Sequence, residues 1–175
     1  MANFNKYFPV LLQLEGTTLE NVPGDSGSWT MDGITIAEYK VSGIDHNHDG
    51  IINQIDLGLM TNEEASKIAK SNYWDQIQGD NIISQSVAEM LCDYGYNCGI
   101  RLAIKKIQGI LNLSIDGNFG IHTLGSVNSS NPLQLFNKIK LSRLAYYQAI
   151  VDHNPSQIKF LRGWQNRVNN FKFIS

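Results

Sequence analysis

The chain has 175 residues, 42% hydrophobic and 17% charged, enough for one domain, or one domain with a small joined subdomain, around an ordinary core. No stretch approaches the roughly 20 apolar residues that cross a bilayer, so no membrane span is expected. Net charge is only −2, but residues 1–100 carry 4 Lys/Arg against 14 Asp/Glu, and residues 101–175 carry 10 against 2. That asymmetry fits an anionic partner for the basic part, mutual docking of the two parts, or solvated basic helix faces. The basic residues are spread singly rather than interleaved with aromatics, which argues against nucleic acid. Nothing suggests more than a monomer.

The N-terminus, MANFNKYFPVLLQLEG, has no basic start, long apolar run or small-residue cleavage site. Synthesis in the cytoplasm is expected, with any action outside depending on another release route. Residues 4–15 read as a helix, with Phe4, Phe8, Leu11 and Leu12 near helical spacing and Pro9 tolerable only in its first turn. Glu15 falls at or near its end. Residues 16–33 are rich in Gly, Ser, Thr and Asp and read as a long loop. Thr35 with Glu38, and Thr61 with Glu64, have capping-box spacing and predict two helix starts, the second helix running to about Trp74.

Between those boxes lies Asp45-His-Asn47-His-Asp49-Gly50-Ile51-Ile52-Asn53-Gln-Ile-Asp56. Oxygen ligands fall at loop positions 1, 3, 5, 9 and 12, the backbone carbonyl of Ile51 at 7, and Gly50 at 6, where the chain must turn sharply. This is the EF-hand calcium pattern with Asp in place of Glu at position 12. One such loop, not two, predicts a single structural calcium. The plainer reading is an Asx-rich turn in which the same groups cap backbone N–H groups.

From Ser84 to Asn112 apolar residues recur at helical spacing, with Gly95 and Gly99 marking a break or a close helix contact. Cys92 and Cys98 read as free thiols in this stretch. Residues 114–121 form a Gly-rich turn, and Thr123 is placed to cap the helix after it. Asn131-Pro132 and Asn154-Pro155 each combine a cap with Pro at the first helical position and open the last helices. Strand patterns are nearly absent, so the fold class is mostly α.

The chemistry centres on Glu15. A carboxylic acid half-sheltered at the end of an apolar helix holds its proton near neutral pH and can donate it. Glycoside hydrolysis generally uses two carboxyl groups flanking the sugar linkage. Asp25 and Asp32, both in the following loop, are the candidates for the second.

The ordered set Glu15-Gly16, Asp25-x-Gly27, Thr30 and Gly33-Ile34-Thr35 resembles the N-terminal signature of glycoside hydrolase family 108. Tyr73-Trp74-Asp75, the helix from Ser86 to Asp93 and Asn97-Cys98-Gly99 continue it. Asp116-Gly117-x-x-Gly120-x-x-Thr123 is similar to an element of peptidoglycan-binding modules, as is the tail from Tyr147 through Trp164 to Arg167. The departures are Thr17, Ser28 and Asp32, where the family has Gly, Gly and an aromatic or amide.

The resemblance implies a lysozyme-like helical fold over 1–96 and a helical peptidoglycan-binding region over 97–175. It implies an N-acetylmuramidase, as in phage endolysins and secretion activators, cleaving the β-1,4 bond between N-acetylmuramic acid and N-acetylglucosamine. Glu15 would be the acid and Asp25 or Asp32 the second carboxylate, with Thr30 holding water. Gly33, Thr35, Tyr73, Trp74 and Asn97 would contact glycan. The alternative is a non-catalytic wall-binding or secretion-assisting protein of the same fold.

Overall fold

The structure, a computed structural model, describes residues 1–16, 19–21 and 29–175. They form two compact units, Asn5–Asn72, and Met1–Phe4 with Tyr73–Ser175.

In the first unit, α1 (Phe4–Glu15) turns Tyr7 and Leu11 inward, one helical turn apart. Pro9 is the sixth residue of α1, not in its first turn as the sequence suggested. The helix runs on through it at the loss of one backbone hydrogen bond. Gly16 then takes φ +76, and its N–H donates to Leu12 O at 3.1 Å, ending the helix in the left-handed conformation glycine adopts without strain.

The stretch expected to be loop contains a small antiparallel sheet of β1 (Glu20–Asn21), β2 (Trp29–Met31) and β3 (Ile34–Thr35), in that order. Thr30, in the middle strand, pairs with Glu20 on one side and Thr35 on the other. Asp32 (φ 53) and Gly33 (φ 73) form the two-residue turn between β2 and β3. Both positive dihedrals suit the Asp-Gly hairpin turn that matches strand twist.

Helices α2 (Ile36–Val41), α3 (Gln54–Gly58) and α4 (Asn62–Ala69) complete the unit. Thr35 and Thr61 open α2 and α4 with the predicted capping boxes, and Asn53 with Asp56 opens α3 with a third. Ile34, Tyr39, Leu57, Met60, Ala65 and Ala69 supply the core.

The second unit is helical. After a π turn (Lys70–Trp74) and two 3-10 turns come α5 (Gln85–Cys98), α6 (Ile100–Ile110), α7 (Ile121–Ser129), α8 (Pro132–His153) and α9 (Ile158–Asn170). Gly99 separates α5 from α6 as expected. A Cβ on Gly95 would lie 2.5 Å from Ile100 Cδ1 and 3.2 Å from Ile100 Cα, so the glycine lets the start of α6 pass close to α5. Asn131 and Asn154 act as the predicted caps.

Thr123 does not cap α7. Gly120 holds that position without a side-chain bond, and Thr123 is buried within the helix, 3.4 Å from the Gln108 amide. Gln108 instead braces the Gly-rich turn, donating to Asp116 Oδ1 (2.7 Å) and Asn118 O (2.9 Å) and accepting from Gly117 N (2.9 Å). Among the described residues no helix is long and apolar enough to cross a membrane.

Candidate functional site

Glu15 is the last residue of α1 and is half-buried. The sequence Glu-Gly thus has a direct structural meaning: the glycine stops the helix and leaves the acid on its final turn.

Asp25 lies outside the described residues, as do Thr17 and Ser28. Asp32 is only 5% exposed, in the β2–β3 turn, and burial raises its carboxyl above the ordinary aspartate value. Gly33 shares that turn. Thr30 is half-buried in the central strand. The Thr35 hydroxyl is engaged by the capping box: it donates to Glu38 Oε2 at 2.9 Å and accepts from Glu38 N at 3.2 Å. Glu15, Thr30, Asp32, Gly33 and Thr35 all belong to the first unit.

The remaining glycan-contact candidates lie in the second unit. Trp74 requires a correction. Its side chain is 0% exposed, Nε1 donates to Asp80 Oδ1 at 2.8 Å, and its ring meets Phe4 edge-on at 5.6 Å. A Cβ on Gly79 would fall 2.3 Å from the indole. A ring enclosed in this way is core, not a sugar platform. Tyr73 is half-buried, its ring 4.5 Å from that of Tyr96. Asn97 is exposed at the end of α5, and its Oδ1 accepts from the Tyr147 hydroxyl at 2.5 Å.

That hydroxyl leads to a buried charge cluster that helical spacing does not predict. Asp93 on α5 and Arg143 on α8 are both 0% exposed and pair at 2.6 Å. Arg167 on α9 binds the same carboxylate, Nη2 to Oδ1 at 2.6 Å and Nε to Oδ2 at 3.1 Å. Arg143 Nε also donates to Tyr147 Oη at 3.0 Å. Burial pushes the Asp93 carboxyl up, but Arg143 and Arg167 outweigh it and hold the group below its ordinary value. One carboxylate thus ties three helices together. Periodicity could not reveal it, because its members are 50 and 24 residues apart in the chain.

The 45–56 loop has the turn its pattern predicts, with Gly50 at φ +82. Asp45 Oδ2 accepts from Gly50 N (2.8 Å), Asn47 Oδ1 from Asp49 N (3.0 Å), and Asp49 Oδ1 from Ile51 N (2.8 Å). The Asn53 amide donates to Ile51 O at 3.1 Å. Asp56 is closed to solvent and accepts from the backbone N–H groups of Asn53 (2.9 Å), His46 (2.9 Å) and Asn47 (3.4 Å). Those bonds, Asn53's above all, lower its carboxyl below the ordinary range. His46 Nε2 reaches Glu64 Oε2 at 3.1 Å and ties the loop to α4. Among the described residues no three His, Cys, Asp or Glu side chains converge closely enough to hold a metal by themselves.

A small polar sheet among helices, with an acid at a helix end, joined in sequence to a bundle bearing a Gly-rich turn, defines the class. It is a lysozyme-like, mostly α fold with a helical peptidoglycan-binding domain. The chain belongs to the family Glycosyl hydrolase 108, whose model matches residues 8–99. Residues 102–169 match the model of a predicted peptidoglycan domain. The solved structure of Brucella abortus SagA is similar, at 25% identity and a TM-score of 0.80, over 96% of this chain and 90% of that one. No curated protein matches the chain. The family and the second domain make this a glycoside hydrolase acting on peptidoglycan, at the cell wall.

Proposed function

We propose that the protein is an N-acetylmuramidase that hydrolyses the β-1,4 bond between N-acetylmuramic acid and N-acetylglucosamine, with Glu15 as the general acid. The observation that carries this reading is the position of Glu15: half-buried, on the last turn of α1, fixed there by the helix stop at Gly16. Glu15 protonates the leaving glycosidic oxygen as the bond to the anomeric carbon breaks. A second carboxylate, Asp25 or Asp32, steadies the oxocarbenium-like state or directs water, and Thr30 helps to hold that water. Of the two, Asp32 has the support of its burial and raised carboxyl value. Residues 1–96 then form the hydrolase region and residues 97–175 hold the enzyme on the wall.

Purified peptidoglycan incubated with the wild-type protein should lose turbidity and release soluble fragments. Glu15→Gln should be at least about a hundredfold slower, the range for loss of a general acid. No release by the wild type from several wall types would contradict the reading.

The second reading is a wall-binding protein without catalysis. Thr17, Ser28 and Asp32, which depart from the family pattern, favour it. It predicts that Glu15→Gln leaves both wall binding and the cellular phenotype intact.

A further inference from the structure

Most polar groups of the 45–56 loop are accounted for by the turn itself. Asp45 Oδ2, Asn47 Oδ1, Asp49 Oδ1 and Asn53 Oδ1 each accept one backbone N–H a few residues on. An Asx-rich turn needs nothing more. Two features are left over. Asp45 Oδ1, the other oxygen of the first loop residue, is shut from solvent and has no hydrogen-bond partner. A buried carboxylate oxygen without a donor is costly and stands out among native structures. In addition, the loop confines the carboxylates of Asp45, Asp49 and Asp56 within twelve residues, and Asp56 is fully buried. The side chain of His46, beside this segment, is engaged with Glu64.

We propose that the 45–56 loop binds one calcium ion that stabilises the Asn5–Asn72 unit. Asp45 supplies the orphaned Oδ1. Asn47, Asp49, Asn53 and Asp56 supply side-chain oxygens, and Ile51 its backbone carbonyl. The donor set is all oxygen, mixing charged and neutral ligands, as calcium prefers and as zinc or copper do not. It spans six residues of a loop closed by one glycine turn, a flexible arrangement that suits calcium better than the rigid octahedron magnesium demands. The same carboxylates need not converge before the ion arrives, because each is parked on a backbone N–H that the ion would compete for. Asp56 is also the third residue of the α3 capping box. Ion binding is thereby coupled to the start of α3, and through the His46–Glu64 contact to α4.

The test uses the full chain, freed of metal with a chelator, then titrated with calcium chloride or magnesium chloride by calorimetry and thermal melting. A single saturable calcium site is expected, with melting raised by roughly 5–10 °C at a hundredfold excess over Kd. Asp49→Ala, at an exposed position, should fold normally without calcium yet lose at least tenfold in affinity. Asp45→Ala should remove the site. No heat and no melting shift up to millimolar calcium would overturn the proposal, as would a shift that both variants retain. An equal response to magnesium would overturn the assignment to calcium. Glycan cleavage plays no part in these readouts, so they stand or fall apart from the hydrolase reading.

Discussion

The two units bury aspartates in opposite ways. In the helical unit, Asp93 is enclosed with two guanidinium groups, and its negative charge is matched on the spot. In the Asn5–Asn72 unit, Asp56 is enclosed with backbone N–H groups, and Asp32 is enclosed at a hairpin turn with its carboxyl value raised. A matched charge is a structural tie: removing either side leaves the other stranded. A carboxylate held by backbone N–H groups, as Asp56 is, keeps a capacity for proton or cation exchange. The acidic unit is therefore where chemistry and ion binding are to be sought, and the basic unit is where rigidity is.

The largest effect that would break this contrast is on catalysis. Glu15→Gln should remove at least about two orders of magnitude of peptidoglycan cleavage while leaving the melting temperature within about 2 °C of wild type. A comparable loss of stability would mean that Glu15 holds the fold rather than the reaction.

Next in size is the buried tie. Asp93→Ala strands Arg143 and Arg167 and should cost about 3–5 kcal/mol, read by denaturant unfolding. A loss below about 1 kcal/mol would remove the tie from the account. The same group sets a pH dependence. Its folded value lies below the unfolded one, so its stabilisation is complete above about pH 4 and is lost as pH falls through the folded value. Melting followed from pH 6 downward should show a destabilisation that Asp93→Asn, already weakened, lacks.

Asp32 has the reverse sign. Its folded value is raised, so its contribution is fully present below the unfolded value and lost as pH rises through the folded one. Asp32→Asn should therefore leave stability at pH 7 unchanged or slightly higher, by less than about 1 kcal/mol, where Asp93→Asn lowers it. A strong destabilisation by Asp32→Asn would show that the contrast between the two aspartates is false. A similar-sized but plainly structural effect is expected at Thr61→Ala, which removes one side of a capping box and should cost about 1 kcal/mol.

Much of this architecture is legible in the chain because it depends on short-range chemistry. The capping boxes at Thr35 and Thr61, the Asn-Pro starts at Asn131 and Asn154 and the break at Gly99 are each set by residues within four positions. The small sheet escaped because its strands are two or three residues long, too short for alternation to register, although Asp32-Gly33 is itself a hairpin signal. Trp74 escaped in the other direction: its place in a motif suggested glycan contact, but Phe4 and Gly79, distant or small, enclose it. The Asp93 cluster shows the general limit. Helical spacing says which positions face inward, yet not which inward-facing charges find partners on other helices. For the candidate site, the chain's pattern puts Glu15 at a helix end and spaces the loop's Asp and Asn residues, while the orphaned Asp45 oxygen and the burial of Asp32 arise only from the folded structure.

The most direct test of the central claim is the identity of the new reducing end. Peptidoglycan digested by the wild-type protein, reduced with borohydride and separated by mass spectrometry should yield fragments ending in reduced N-acetylmuramic acid, absent from the Glu15→Gln digest. Fragments ending in reduced N-acetylglucosamine, or the same products from Glu15→Gln, would contradict it.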